Sequence, residues 1–479
     1  MSEASSGVTQ ISLDRRAALK QLAALAGMSV WQTTSLADET ASLDGFGGWK
    51  ERTFEPTGYF RVAKSDRWWF VTPDGHAFIS FGMNHPNEDY ISQSYNVEFW
   101  KKKFGAEDVN DPAFQKGFVA KVMKDLQRFG MNSLGTHSRK ERFTPLTVPY
   151  VQGLYFVRTP YWAAPARDRF PDVFSPQFAQ RCRLVVRRLV EPVKADPYLL
   201  GYTFTDCPIL TDADAAAHGQ VSYGRAQPDL PTWPRVLRNM GPDEPGKRAW
   251  LNCVRERSPS INGFNLRYHT EFKSFEALLK AKDWSPVTPS DRIADQEHNQ
   301  ACLVEILKQY YEVACTAIRS VDRNHLIFGD IINAQTAPPD EVVTTISQYT
   351  DLVAFQYYDD YEAHRHLLDR WSRLTGKPLY HADTSFCVAY EEMPHPIGAL
   401  CQDNEERAQR FYNCARQTLS RPDTIGYNWC GWMDMWAQWK ADRQHTGLQD
   451  PFGNYHQPMP ETMSRFGNQL YGIASQSGI

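Results

Sequence analysis

Three features of the chain predict an α/β fold whose parallel strands close into a (β/α)8 TIM barrel. Short apolar runs of strand length alternate with segments whose apolar residues recur at helical spacing. The runs number eight, the count at which a parallel sheet closes around an interior filled by side chains. No GxGxxG or GxxxxGK[ST] motif sits at a strand-to-helix junction, which disfavours a doubly wound open sheet. A length of 479 residues suits this reading, because α/β barrels run long as single units.

The elements follow in order. Residues 38–58 are rich in Gly and Glu and read as a linker. Residues 58–62 and 67–71 read as strands, with Pro73-Asp74-Gly75 as a turn, giving a short N-terminal β extension. The first barrel strand is 78–83, ending in Asn84-His85. From Pro112 to Phe129 the apolar residues Phe114, Phe118, Val122, Leu126 and Phe129 lie near helical spacing, and Gly130 stops the helix. Residues 132–137 form the second strand, 153–157 the third and 198–205 the fourth, which ends at Asp206-Cys207-Pro208; a helix spans 176–194. Residues 209–300 lack clean alternation and read as a long insertion after strand four, with helical pieces around 264–282. The alternation then resumes: strands at 325–329, 352–357, 378–382 and 425–429, and helices at 297–320, 338–348, 362–375, 404–420 and from about 460.

Composition removes several function classes. The charge balance is 52 basic against 56 acidic residues, a net of −4, so no basic excess exists to bind nucleic acid by bulk charge. No apolar run reaches the ~18–20 residues of a membrane helix. The nine cysteines are scattered, with no CxxC pair and no zinc-ligand spacing, and read as mostly buried thiols. Residues 1–40 differ from the rest. Arg15-Arg16 precedes an Ala- and Leu-rich stretch and then Ser35-Leu36-Ala37, a pattern similar to a twin-arginine export signal followed by a linker. Export of the folded chain to the periplasm or medium is the expectation. It leaves 41–479 as one catalytic barrel carrying the insertion.

Catalytic groups of such barrels sit at the carboxyl ends of the strands. There the sequence has Asn84 and His85 after strand one, His137 after strand two, Asp206 after strand four and Asp330 after strand five. Gln356 and Tyr358 follow strand six, Asp383 strand seven and Trp432 strand eight. Carboxylates, amides, imidazoles and aromatics on one rim suit hydrolysis of a polar, uncharged substrate: one carboxyl group protonates the leaving oxygen and another activates water or attacks. Each acid also has a plainer reading, as a helix cap or an ion-pair partner. Tyr357 and Tyr358 cannot both face the centre, because strand side chains alternate. No HExxH or His-x-His pattern supports a metal, no cofactor motif is present, and no G-x-S-x-G elbow supports a serine nucleophile. Cys207 is a weak alternative, having no legible histidine partner.

The ordered series 58–62, Trp69, Pro73-Asp74-Gly75-His76, Phe81-Gly82-Met83-Asn84, Gly130-Met131-Asn132-Ser133-Leu134-Gly135-Thr136, Asp172-Val173-Phe174-Ser175-Pro176, Leu200-Gly201-Tyr202 and Gly376-Lys377-Pro378 resembles the clan A barrel glycoside hydrolases, in particular the agarase-like branch. So do Gly447-Leu448, Gly453-Asn454 and Gln457-Pro458 near the end. The resemblance implies a glycosidase acting on a carbohydrate. It also implies an Asn-Glu pair at the end of strand four and a Glu at the end of strand seven; here those positions hold Asp206-Cys207 and Asp383. Each Asp is one carbon–carbon bond shorter than Glu, about 1.5 Å. Retaining chemistry needs carboxyl groups ~5–5.5 Å apart and inverting chemistry ~6.5–9.5 Å. The expectation is an Asp206/Asp383 pair working with inversion, with Asn84, His85, His137, Asp330, Gln356, Tyr358 and Trp432 holding the sugar. A carbohydrate-binding protein without turnover is the alternative, followed by another barrel chemistry that uses the histidines.

Overall fold

The computed structural model describes residues 42–138, 147–159, 169–223, 231–284, 289–440 and 443–476. The export reading of residues 1–40 lies outside the described residues. Four short strands come first: β1 (Trp49–Thr53), β2 (Arg61–Lys64), β3 (Trp68–Val71) and β4 (His76–Phe78), paired antiparallel in the order β1-β4-β3-β2. The stretch read as a linker thus contains a strand. Trp49 anchors it, stacking on Tyr471 and packing against Trp69. Phe70 of this sheet meets Phe328 and Tyr380, which rise from early positions of two barrel strands. The β extension therefore plugs the amino-terminal end of the barrel.

The barrel consists of β5 (Ser80–Met83), β6 (Ser133–Leu134), β7 (Tyr150–Gly153), β8 (Leu199–Asp206), β9 (Leu326–Asn333), β10 (Val353–Gln356), β11 (Leu379–Thr384) and, after two short strands, β14 (Thr424–Trp429). All neighbours pair in parallel and the ring closes where β14 meets β5. Its interior carries polar groups that satisfy one another: Ser80 and Ser133 hydroxyls lie 2.8 Å apart, and the Asn428 amide donates to the Tyr380 hydroxyl at 2.5 Å. The helix after β5 runs Pro112–Phe129, as its spacing predicts. Asp111 caps its start by accepting from the Ala113 amide, and Gly130 closes its end at φ 64°. The third strand lies earlier than predicted, because the extended chain stops at Gly153 and turns.

After β8 the described chain is helical over much more than the predicted 264–282. Helices Asp212–Tyr223, Trp233–Arg238, Pro245–Arg257, Ile261–Tyr268 and Phe275–Lys280 precede the long helix Pro289–Arg319. The five run only 6–13 residues, so no single long periodic stretch marks them in the sequence. Arg238 ties this segment to the long helix through a buried pair with Asp295 at 2.6 Å. Two further strand pairs lie beyond the seventh and eighth barrel strands: β12 (Phe386–Val388) with β13 (Ala399–Cys401), and β15 (Met435–Lys440) with β16 (Arg443–His445). No helix among the described residues is long and apolar enough to cross a membrane.

Candidate active site

Strand alternation alone would misplace the acids. On β8, Tyr202 and Phe204 face outward, toward Asp322 and toward Tyr310 and Tyr311 of the long helix. Strict alternation would turn Asp206 outward as well. Between Thr203 and Asp206, however, β8 takes three steps while β9 takes two, from Gly329 to Ile331. The extra residue is a β-bulge, and it swings Asp206 into the barrel mouth. On β11, His381 faces outward against Phe355 and His364. There the step from His381 to Asp383 spans two residues against one on β10, from Phe355 to Gln356. This second bulge turns Asp383 inward.

A third bulge works the other way. Phe328 points into the barrel, but Gly329 adds a residue to β9 at φ 74°, where a side chain would press on Thr350 at 2.6 Å. Asp330 is thereby turned away from the mouth. It accepts from the Tyr311 hydroxyl at 2.7 Å, the Thr205 amide at 2.9 Å and the Tyr310 hydroxyl at 3.4 Å. The sequence expectation that Asp330 contacts substrate is corrected: it clips the β8 bulge to the long helix. Trp432 is corrected too. It is fully buried, its indole donates to Asp125 at 2.6 Å, and its ring packs on Phe118 of the Pro112–Phe129 helix. It braces the loop after β14 and offers no face to a ligand.

The remaining predicted residues converge. Asp383 accepts from the Asn84 amide and from the Tyr358 hydroxyl, each at 2.5 Å. Burial, then the charge of Asp206, pushes the Asp383 carboxyl up to about 7, against the opposing pull of those two donors and of His137. Asp206 meets His137 Nε2 at 2.7 Å, and the Tyr155 hydroxyl lies 3.2 Å from His137 Nδ1. Burial works against a charged His137, but the hydrogen bond and charge of Asp206 outweigh it and raise its pKa above the ordinary imidazole value. Among the described residues, Asp206 Oδ1 and Asn84 Oδ1 are buried without a hydrogen-bond partner. Gln356 is buried at the end of β10, directly across the ladder from Asp383. Tyr357 stacks on His364, so of the two tyrosines it is the packing one.

His85 stacks on His137 with ring centroids 4.5 Å apart and on its other side meets His445 at 4.4 Å. His85, His137 and Cys207 all adopt left-handed backbone, with φ of 59°, 60° and 46°. Such conformations in non-glycine residues cost of order 1–3 kcal/mol and cluster at functional sites. Cys207 is fully buried, and burial followed by the neighbouring Asp206 and Asp383 pushes its thiol well above the ordinary range. It is therefore neither a ready nucleophile nor a proton donor at neutral pH. Sequence reasoning missed Tyr155, Cys430 and His445. Tyr155 lies past the end of the third strand, and His445 arrives on β16, far from any barrel strand end in the sequence; neither sits in a motif.

The fold is shared with several solved structures. PfGH50B superposes with a TM-score of 0.72 at 17% identity, covering 90% of this chain and 69% of that one. The agarase AgWH50C gives a TM-score of 0.71 at 17% identity over 96% of this chain and 70% of that one. A structure described as an exo-beta-agarase gives 0.71 at 16% identity, covering 90% and 67%. At these identities what is shared is the barrel fold. Comparisons with protein-family models and with curated proteins give no match.

Proposed function

We propose that this chain is a glycoside hydrolase that cleaves a poly- or oligosaccharide with Asp206 and Asp383. The observation that carries the reading is the pair of bulges that turn two buried carboxylates, from strands four and seven, toward each other in one mouth. The likeness in fold to agarase barrels supports it. In this reading Asp383, ionised and oriented by Asn84 and Tyr358, takes a proton from water as the water oxygen attacks the anomeric carbon. The bond to the leaving oxygen breaks, and that oxygen takes the proton held by the His137–Asp206 pair. An aspartic acid alone, with a pKa of ~3.9, holds no proton at neutral pH. His137 keeps one in place, which lets a short acid do the work of the longer Glu that related barrels carry.

Both acids are short, so the gap between them favours a water in between and inversion at the anomeric carbon. His85, His137 and Gln356 line the sugar's position. Residues 1–40 serve as a twin-arginine-type export signal and linker, placing the barrel of residues 41–479 in the periplasm or medium. The test is a panel of neutral oligosaccharides and aryl glycosides, followed by proton NMR of the first-formed anomer before mutarotation. Inverted product supports the whole scheme. Retained configuration, or a covalent sugar on Asp383, replaces single displacement by double displacement. Binding without turnover by any member of the panel favours the carbohydrate-binding alternative.

A further inference from the structure

Beside the two carboxylates lies a second set of groups, to which the hydrolysis assigns no proton transfer and no bond. The ligating atoms of His85, Cys430 and His445 all lie within 4.8 Å of one another. They come from three separate places: the loop after β5, the end of β14 and the end of β16. Cys430 Sγ and His445 Nε2 are 3.4 Å apart. A tetrahedral zinc ion with Zn–S of ~2.3 Å and Zn–N of ~2.0–2.1 Å sets its sulfur and nitrogen ligands about 3.6 Å apart. The spacing already matches a bound pair.

The surroundings prepare the ligands. His445 Nδ1 lies 3.2 Å from the Thr446 carbonyl. Donation there keeps the proton on Nδ1 and leaves the Nε2 lone pair facing Cys430, the arrangement that metal-bound histidines use. A side chain at Gly431 would come within 2.7 Å of the His445 ring, so glycine lets the imidazole reach the thiol. The thiol and the two imidazoles make a set of soft and borderline ligands suited to such a cation.

We propose that His85, Cys430 and His445 bind one thiophilic divalent cation of the zinc type. On binding, the Cys430 S–H gives up its proton to solvent and the sulfur bonds the cation. Three protein ligands leave a fourth position for a water or a substrate hydroxyl. The site does not depend on the glycosidase reading, and its test does not read turnover. The full chain is stripped with chelator and titrated with Co²⁺ as a spectroscopic probe. One equivalent binds, with a thiolate-to-cobalt charge-transfer band and the visible bands of tetrahedral geometry, and Zn²⁺ displaces it. Cys430→Ser abolishes the charge-transfer band, and His445→Gln weakens Co²⁺ binding at least tenfold. Cys182→Ser, a buried thiol elsewhere, leaves both unchanged. In the wild type Zn²⁺ also protects Cys430 from alkylation, read by peptide mass spectrometry, which needs no variant. The proposal is overturned by absence of the charge-transfer band in the wild type, by its persistence in Cys430→Ser, or by alkylation of Cys430 at the same rate with and without Zn²⁺.

Discussion

Replacing Tyr358 by Phe removes one hydroxyl from the barrel mouth and leaves the ring in place. That hydroxyl donates to Asp383 Oδ2 at 2.5 Å inside a buried site. A hydrogen bond to a buried charged group contributes about 1.5–3 kcal/mol. At 1.36 kcal/mol per pKa unit, its loss raises the Asp383 carboxyl by roughly one to two units. The starting point is about 7, so in wild type half of Asp383 is ionised at pH 7. In the variant the ionised share falls to roughly a tenth to a hundredth, and kcat/KM at pH 7 drops about 5- to 50-fold. The assay is kcat/KM against pH on a substrate found in the panel, with ¹³C NMR of aspartate carboxyls as a readout free of turnover. The acid limb moves upward by one to two units and activity recovers at high pH. A uniform loss at every pH, with the limb unmoved, refutes Asp383 as the group that must lose its proton.

Other outcomes follow from the same geometry. Asp330 is buried and its carboxyl is raised from 3.8 to about 7, so the stability it contributes is full below 3.8 and lost as pH rises through 7, in total roughly 4 kcal/mol. Thermal melts from pH 4 to 8 should show a smaller loss in Asp330→Asn than in wild type, the part owed to Asp383 remaining, and the variant's catalytic pH profile should match wild type; a shifted profile would return Asp330 to the active site. Trp432→Phe should lower stability by about 1.5–3 kcal/mol, through the lost donor to Asp125, with KM unchanged. A raised KM without a stability loss contradicts the bracing role. Deleting residues 1–40 should leave Tm within a degree or two while abolishing export of the chain in a twin-arginine-competent host; a large Tm loss contradicts a cleavable signal.

Fold and site were legible to different depths. The barrel strands could be read as short continuous apolar runs, buried on both faces, with the third misplaced by a few residues, and the flanking helices Pro112–Phe129 and Asn404–Ser420 because each buries one face at a steady period. The helices between β8 and Pro289 could not, because they run only 6–13 residues and Pro, Gly and Asp interrupt the pattern between them. At the site, listing the strand ends named Asn84, His137, Asp206, Tyr358 and Asp383, side chains that meet in the structure, though strict alternation would have excluded both acids. Bulges decide these positions, and a bulge has no fixed sequence signature. The same device defeated the expectation for Asp330: Gly329 is its one trace in the sequence. Trp432 was misplaced for another reason. A tryptophan past a strand end is as suited to bracing a loop as to meeting a sugar, and only the carboxylate of Asp125, 307 residues away, decides between them.

The central claim is that Asp383 performs chemistry on a glycosidic bond and does not merely hold a sugar. Asp383→Asn tests it most directly, because the amide keeps the shape of the side chain and removes the charge. Turnover and calorimetric binding should be measured together on one cleaved oligosaccharide. The account predicts that turnover falls at least the ~10²–10⁴-fold typical of lost acid–base catalysis, while binding persists. Turnover near the wild-type rate, with binding equally intact, would contradict it.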